Sequence, residues 1–219
     1  MMEKRWINQY IPLSHSSARI LEESKGSFSP KALGAFKALK QQFSKFVLEI
    51  GSGSGMHLIN QAKQHPDTLH VGVELRYKRA FKTIEKAEKQ GLSNVFIIRG
   101  NASLIQELFE PKELSAIYIH YPDPWRKKRW QKHRILQKDF LHSLANLLHA
   151  EGIISFRTDH TEYFEEVLTL VDASEEFSVK TLSRHLYQDS PATFIPSSEF
   201  EALFFSQGVP LKALTLKRL

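Results

Sequence analysis

The sequence contains no cysteine among its 219 residues. This absence excludes a disulfide framework, thiolate metal sites and a cysteine nucleophile. No stretch approaches the ~18 uninterrupted apolar residues that a membrane-spanning helix requires, and residues 1–10 lack the apolar core of a signal peptide. With 42% hydrophobic and 25% charged residues, the chain is expected to be a globular cytoplasmic protein that contacts no membrane. The histidines show no metal-binding spacing with nearby acids, so no metal is expected.

The positive charge is confined to one short segment. The formal net charge is +6, and the basic run, residues 126–134, holds six Lys or Arg and no acid. Without this run the chain has 24 basic and 24 acidic residues. Such a local excess is typical of a phosphate-binding surface. The alternative is a solvated loop, or charges that keep a neighbouring apolar strand from aggregating.

Apolar runs and helical patterns alternate five times along the chain. We predict parallel strands at residues 46–50, 69–75, 95–99, 115–121 and 152–157, with helices at 56–64, 77–90, 103–109, 136–149 and 161–171. This alternation predicts a doubly wound α/β domain over residues 44–219, with a mainly parallel, Rossmann-like sheet. Further strands at residues 177–182, 200–206 and 211–216 predict an antiparallel C-terminal edge. Residues 1–43 are expected to form an N-terminal arm with one short helix near 30–42.

A glycine turn, residues 51–55, follows the first strand of this domain. Its spacing is G-x-G-x-G at Gly51, Gly53 and Gly55, unlike the G-x-G-x-x-G of dinucleotide enzymes or the G-K-[ST] ending of P-loops. Glu49, two residues before the turn, would repel a pyrophosphate but suits a cationic ligand. S-adenosylmethionine carries an ammonium and a sulfonium and no phosphate, so we predict that it is the cofactor.

Polar residues also end the next two strands. Glu74 lies 23 residues after Gly51, where an acid commonly binds ribose hydroxyls; it could instead cap a helix. Asn101 and Ala102 follow the third strand, where the adenine would lie. Many methyltransferases have Asp at this point, and an Asn oxygen can still accept a hydrogen bond, although Asn is also common in turns after strands.

The fourth strand ends in the Pro-Asp-Pro turn, residues 122–125. Two prolines hold Asp123 in a rigid extended turn, at the sheet edge where doubly wound proteins bind ligands. Trp125 offers a flat surface for a base, and the basic run follows directly. The alternative is a purely structural turn packed by Trp125.

Together these motifs resemble the bacterial tRNA (guanine-N7-)-methyltransferases. The resemblance covers about residues 46–218 and is carried by Pro122-Asp123-Pro124-Trp125-Arg126-Lys127-Lys128-Arg129, Leu48-Glu49-Ile50-Gly51 and Thr158-Asp159. It implies transfer of a methyl group from S-adenosylmethionine to tRNA, at guanine 46 of the variable loop. It also implies a cofactor site of Glu49, Glu74, Asn101 and Asp123, and RNA contacts through Lys127, Asp159, Ser198 and Glu201.

The sequence departs from the family pattern at four positions. Asn101 replaces Asp, Trp130 replaces His, His133 replaces Arg and Ser198 replaces Thr. Ser and Thr both offer a hydroxyl, so the last change matters least. The spacing of Ser198 and Glu201 is also that of a helix capping box, which carries no function of its own.

The expected reaction needs no general base, because N7 of guanine has an in-plane lone pair and no proton. The site must instead position the reactants and stabilise the positive charge that moves onto the ring. Asp123 and Asp159, at the ends of adjacent strands, are the candidates, and Asp123 is the predicted catalytic residue.

Other functions stay open on the sequence alone. A dinucleotide-dependent oxidoreductase is disfavoured by the glycine spacing and by Glu49. A methyltransferase acting on an adenine amino group would have Asn/Asp-Pro-Pro-aromatic at the fourth strand, which differs from the order here. A methyltransferase of another RNA nucleotide and a non-catalytic RNA-binding protein also remain, as do both a monomer and a homodimer.

Overall fold

The fold is built on one eight-stranded sheet, seen in a computed structural model that describes residues 8–189 and 197–219. The strand order is β1-β4-β3-β2-β5-β6-β8-β7. The strands are β1 (Ile20–Glu22), β2 (Lys45–Ile50), β3 (Thr68–Glu74), β4 (Val95–Arg99), β5 (Leu114–His120), β6 (Leu148–Thr158), β7 (Phe177–Ser183) and β8 (Lys212–Arg218). The first six in this spatial order are mutually parallel, and β8 is antiparallel to both β6 and β7. This arrangement confirms the predicted α/β class and its antiparallel edge.

Helices connect the strands and cover the sheet. They are α1 (Tyr10–Ser16), α2 (Pro30–Lys40), α3 (Met56–Gln64), α4 (Tyr77–Lys89), α5 (Lys138–Leu147), α6 (Thr161–Asp172), α7 (Leu186–Asp189) and α8 (Glu199–Ser206), with two 3₁₀ helices, η1 (Ala102–Glu107) and η2 (Lys128–His133). None of the helices within the described ranges is long and apolar enough to cross a membrane.

The central strands are apolar because both of their faces are covered. Leu48, Val71 and Ile117, on three neighbouring strands, are fully buried in the main core cluster. The chain runs outward from β2 to β3 and β4, and then crosses back so that β5 lies on the other side of β2. In open α/β sheets this reversal opens a crevice at the carboxyl ends of the strands. The crevice here lies at the ends of β2 and β5.

The N-terminal arm contains more structure than the sequence indicates. Besides α2, near the expected helix, residues 20–22 form β1 and pair in parallel with β4 at the edge of the sheet. Three residues are too few to show a strand pattern in the sequence. Residues 1–7 of the predicted arm lie outside the described residues.

The predicted strand at residues 200–206 is wrong, because this segment is helix α8. Its aromatic and apolar residues favour a strand by propensity alone. The Ser198 hydroxyl instead accepts a hydrogen bond from the Glu201 N–H and caps the first turn of the helix. This N-cap favours a helix where the local β-propensity alone predicts a strand. The helix predicted at residues 136–149 is also shorter than expected, since β6 begins at Leu148.

Candidate active site

The glycine turn connects β2 to α3 with three left-handed residues. Gly51, Gly53 and Gly55 have φ angles of 77°, 57° and 75°. A Cβ on Gly55 would lie 2.3 Å from the Cγ2 atom of Thr83, so only glycine allows the turn to pack against α4. A Cβ on Gly51 would meet no atom within 4 Å. The turn is thus tightly packed against α4 at Gly55 and open at Gly51. This open space would allow a ligand to approach the backbone closely.

Glu49 is buried beneath the glycine turn and is paired with His57. The Nδ1 atom of His57 lies 2.9 Å from Oε2 of Glu49, and each residue is only 5% exposed. The second carboxylate oxygen of Glu49 has no hydrogen-bond partner among the described residues. His57 lies in the first turn of α3, with its ring buried beneath the glycine turn. Its position at the start of the helix after the glycine turn was the signal in the sequence that could have identified this pair.

Glu74 is the last residue of β3, and its carboxylate accepts hydrogen bonds from the backbone of the glycine turn and from the backbone just after β3. Its Oε2 accepts a hydrogen bond of 3.0 Å from the Gly53 N–H, and its Oε1 accepts one of 2.8 Å from the Arg76 N–H. Each oxygen keeps a second lone pair, so the carboxylate can still accept hydrogen bonds from a ribose. The next residue, Leu75, is 63% exposed and provides an apolar surface beside it, which the sequence pattern did not predict.

Asn101 follows β4 and caps η1. Its side-chain oxygen accepts a hydrogen bond of 2.9 Å from the Ser103 N–H, and its own N–H donates to Oε2 of Glu23 at 2.7 Å. Ala102 is the first residue of η1 and is half-buried. The turn-forming role of Asn101 is therefore present in the fold, and its amide group lies at the same sheet edge as Glu49 and Glu74.

The Pro-Asp-Pro turn lies beside the glycine turn. Ile50 pairs with Ile119 in the parallel sheet, so the two turns leave neighbouring strands at the same edge. Asp123 is exposed. Tyr121 and Trp125 on either side of it have φ angles of 53° and 45°. Left-handed backbone is unfavourable for such bulky residues, and its retention is typical of functional turns.

Arg134, the last residue of the basic run, stabilises this turn through a hydrogen bond from its buried side chain. Its side chain is fully buried, forms an ion pair with Glu166, and donates from Nε to the Pro124 carbonyl at 2.8 Å. The guanidinium also lies 4.9 Å from the centre of the Tyr163 ring. One of the six cations of the run is therefore structural. The exposed cations that remain are Arg126, Lys127, Lys128, Arg129 and Lys132.

Two tryptophans meet at this surface. The rings of Trp125 and Trp130 lie edge to face with their centres 6.2 Å apart. Lys127 and Arg129 lie over the Trp130 ring, 4.8 Å and 5.1 Å from its centre. Trp130 is still 38% exposed. The basic run thus presents an aromatic surface surrounded by cations, which is a common arrangement for binding single-stranded nucleic acid.

Glu201 is fully buried behind the Pro-Asp-Pro turn. Its Oε1 accepts hydrogen bonds from the Tyr121 hydroxyl at 2.9 Å and from Arg157 at 2.5 Å, and its Oε2 accepts from the Ser197 N–H and hydroxyl. Burial alone would raise the pKa of Glu201, but the Arg157 charge and the Ser197 bonds outweigh it and lower the pKa. The carboxylate is therefore charged and directed at Tyr121.

Asp159 follows β6, on the strand next to β5. It is half-buried, and its carbonyl accepts a hydrogen bond of 3.1 Å from the Lys212 ammonium. Burial lowers the pKa of Lys212. Ser198 lies at the N-terminus of α8, where its hydroxyl serves the helix cap. The structure thus places Asp159 at the same sheet edge as Asp123.

His120, the last residue of β5, lies below these turns. Its ring is 4.7 Å from the ring of His57, and its Nε2 lies 3.0 Å from the Ser155 hydroxyl. Burial lowers the pKa of His120 well below its ordinary value. The imidazole is therefore neutral and does not repel a cationic ligand. Within residues 8–189 and 197–219 there is no group of three or more His, Asp or Glu that could hold a metal ion.

These features fit S-adenosylmethionine. Two buried carboxylates, Glu49 and Glu74, lie on either side of a glycine turn whose open face admits a ligand. A carboxylate below the turn suits an ammonium group, and an acid at the end of β3 suits a ribose. An anionic pyrophosphate would meet the same carboxylates unfavourably.

Comparison with known proteins identifies the family of this chain. A family model described as "Putative methyltransferase" matches residues 44–214. A tRNA (guanine-N(7)-)-methyltransferase of Clostridioides difficile is 36% identical over 166 residues, covering 74% of this chain and 75% of that protein. The enzyme of that name from Mycoplasma genitalium is 33% identical and covers 82% and 90%.

A solved structure gives the same fold. It is a 16S rRNA (adenine(1408)-N(1))-methyltransferase from Catenulisporales acidiphilia, solved with its cosubstrate SAM. It superposes with a TM-score of 0.61 at 16% identity, covering 88% of this chain and 92% of that one. By its sequence this chain belongs to the tRNA (guanine-N(7)-)-methyltransferase family, and it is a methyltransferase whose cofactor is S-adenosylmethionine.

Proposed function

We propose that this protein methylates N7 of a guanine in tRNA, at position 46 of the variable loop. One observation supports this above the others: the exposed Asp123 leaves β5 beside the glycine turn of β2, and a cationic, aromatic surface follows it directly. A methyl-donor site and a nucleic-acid surface thus share one edge of the sheet. The names of the relatives supply the nucleoside and the atom.

The donor side of the site is formed by the ends of β2, β3, β4 and β5. When bound, S-adenosylmethionine supplies an electrophilic methyl group. Glu49 would bind its ammonium group, Gly51 and Gly53 would allow the backbone to approach it, and Glu74 would accept hydrogen bonds from the ribose. Asn101 and Ala102 would border the adenine. Asp123 would complete the site beside the sulfonium.

The acceptor side needs a group that orients guanine rather than a base. Guanine N7 carries no proton, so no residue has to remove one. The Asp123 carboxylate would accept from the guanine N1–H and amino group, and its charge would stabilise the positive charge that develops on the ring. Asp159, on the adjacent strand, would assist in the same way.

The basic run would hold the tRNA by its phosphates. Lys127 and its exposed neighbours neutralise the backbone and fix its register, which gives affinity rather than base specificity. Trp130 would stack on an unpaired base. Ser198, at the start of α8, is proposed to face the same RNA. Glu201 is buried, so we propose that it acts through Tyr121 and Arg157, by holding the Pro-Asp-Pro turn.

The test is methyl transfer from labelled S-adenosylmethionine to unmodified tRNA transcripts, followed by nucleoside analysis. We expect N7-methylguanosine, and we expect it to disappear when guanine 46 of the transcript is replaced by adenine. Product that persists in the altered transcript would contradict the position. A different methylated nucleoside would favour another RNA methyltransferase, and binding of both ligands without transfer would favour a non-catalytic RNA-binding protein.

A further inference from the structure

Strand β1 brings a carboxylate to the edge of the sheet where the donor site lies. It runs parallel to β4, with Glu22 opposite Arg99. The next residue, Glu23, donates its N–H to the Arg99 carbonyl at 2.9 Å. Glu23, the first residue after β1, is therefore level with Gly100, the first residue after β4. No feature of the sequence alone connects these two segments.

The Glu23 side chain lies directly on the backbone that borders the adenine. Its Oε2 accepts a hydrogen bond of 2.7 Å from the Asn101 N–H. A Cβ on Gly100 would lie 2.8 Å from both Cβ and Oε2 of Glu23, so only a glycine at that position leaves room for the carboxylate. Oε1 of Glu23 has no hydrogen-bond partner in the described part of the chain.

The backbone of Glu23 is fixed by a cluster at the edge of the sheet. Arg99 donates to the side chain of Glu22 at 2.8 Å and to the Glu23 carbonyl at 3.0 Å. The Tyr77 hydroxyl also donates to Glu22, and the Arg99 guanidinium lies over the Tyr77 ring. The carboxylate of Glu23 is therefore presented from a rigid position.

Asn101 is poorly suited to replace the missing Asp. It carries no charge, so it accepts a hydrogen bond more weakly than a carboxylate, and its side-chain oxygen also accepts the Ser103 N–H as a helix cap. We propose that Glu23 accepts the hydrogen bond from the 6-amino group of the donor's adenine, through Oε1. The acid that other methyltransferases place after this strand is then supplied by the N-terminal arm. This proposal rests on the S-adenosylmethionine site and not on which nucleoside is methylated.

The test compares S-adenosylhomocysteine with its 6-deamino analogue, in which a hydrogen replaces the 6-amino group of the purine and N1 is still an acceptor. The first ligand donates a hydrogen bond from its 6-position, whereas the second cannot. We expect the wild-type protein to bind the adenosine ligand at least tenfold more tightly in calorimetry. Glu23→Gln should weaken that ligand on the order of tenfold, as expected for a charge-assisted hydrogen bond. It should leave the affinity of the 6-deamino ligand unchanged, because that ligand makes no hydrogen bond to Glu23.

Two further variants exclude a merely structural effect. Glu110→Gln, an exposed acid away from the carboxyl edge of the sheet, should bind both ligands as the wild type does. Adding Asn101→Asp to Glu23→Gln should restore the preference for adenosine. Equal weakening of both ligands by Glu23→Gln, or no change in either, would overturn the proposal. The first result would mean that Glu23 only supports the turn at Gly100, and the second that it lies outside the site.

Discussion

At the scale of the residue, the proposed catalytic group is a carboxylate that lies between two residues with strained backbone. Tyr121 and Trp125 adopt left-handed backbone on either side of Asp123. Each costs on the order of 1–3 kcal/mol unless the surroundings enforce it. Here Glu201 binds the Tyr121 hydroxyl, and Arg134 binds the Pro124 carbonyl. The two buried charges therefore offset the strain of the turn.

Replacing Asp123 tests its proposed role. Asp123→Asn keeps the shape but removes the charge and directs an N–H₂ group at guanine's own donors. We expect the single-turnover rate of methyl transfer to fall by about 10²-fold or more, the range seen when one preorganised electrostatic group is removed. Affinity for tRNA should change much less, because phosphates dominate it.

The same measurement across pH separates this role from that of a base. The wild-type rate should show no titration near neutral pH that a general base would cause. A fully active Asn variant would refute the proposed role of Asp123. A wild-type rate that rises tenfold per pH unit through neutrality would show that a base is required.

Trp130 provides a second test at this scale. If a base stacks on its exposed ring, Trp130→Ala should raise the KM for tRNA by about tenfold, within the ~1–3 kcal/mol typical of such stacking. The kcat should change little, and Trp130→Phe should recover most of the affinity. Binding of S-adenosylhomocysteine is the control and should stay constant. An unchanged KM in the Ala variant would leave Trp130 without a role in RNA binding.

At the scale of the element, β3 contains a buried histidine that makes the fold sensitive to acid. Neither ring nitrogen of His70 has a hydrogen-bond partner among the described residues. Burial is the main cause that lowers the pKa of His70 to about 4. Between about pH 6.5 and pH 4 the unfolded chain therefore binds a proton that the folded chain does not. Protonation favours unfolding, so stability falls as the pH decreases through this window.

Replacing His70 with Leu should remove this pH dependence. A difference of about 2.5 pKa units corresponds to about 3 kcal/mol. Denaturant titrations of the wild type from pH 7 to pH 4 should show a fall in unfolding free energy that exceeds that of His70→Leu by about this amount. His149→Leu, at a partly exposed histidine, is the control and should follow the wild type. Parallel curves for wild type and His70→Leu would show that His70 does not cause the effect.

The elements that the sequence predicts are those with a strong local pattern. Buried apolar runs such as residues 46–50, together with the glycine turn, allow the parallel strands to be predicted. The positions of the acids at the strand ends then follow from the predicted strand boundaries. β1 was not predicted, because a three-residue strand has meaning only through its pairing with β4. The helix at residues 199–206 was missed because its aromatic content favoured a strand. Local sequence patterns thus predict the central parallel strands, but not β1 or helix α8.

The candidate site likewise could be predicted only in part from the sequence. The residue types at Glu49, Glu74 and Asp123 follow from the chemistry of the ligand. Their partners do not, since Glu49 contacts His57 only after a helix forms, and Glu201 meets Tyr121 across 80 residues. Arg134 looks like its basic neighbours in the sequence, yet it is buried. Interactions that depend on tertiary packing leave no local signal.

At the scale of the whole molecule, nearly all of the net positive charge lies on one surface. Five of the six cations in the basic run are exposed, and the rest of the chain is formally neutral. The field of the protein therefore directs a polyanion towards the Pro-Asp-Pro turn. We therefore expect the salt dependence of tRNA binding to depend mainly on this segment.

Changing Lys127, Lys128 and Arg129 together to Gln should weaken tRNA binding and flatten its salt dependence. The slope of log affinity against log salt should fall by about 0.7 to 0.9 for each phosphate that the variant no longer neutralises. The matched control changes three exposed lysines elsewhere, Lys31, Lys63 and Lys180, and removes the same charge. We expect the control to keep the wild-type slope. Equal slopes for both triple variants would mean that the basic run is only a solvated loop.

The position of β8 has a consequence for biosynthesis. This strand lies between β6 and β7, although it follows both of them in the chain. During translation, the edges of β6 and β7 that pair with β8 therefore have no hydrogen-bonding partner until residues 212–218 have been synthesised. Open edges of this kind can pair with the wrong partner. We therefore expect nascent chains to be most prone to aggregation in the interval between the synthesis of β7 and that of β8.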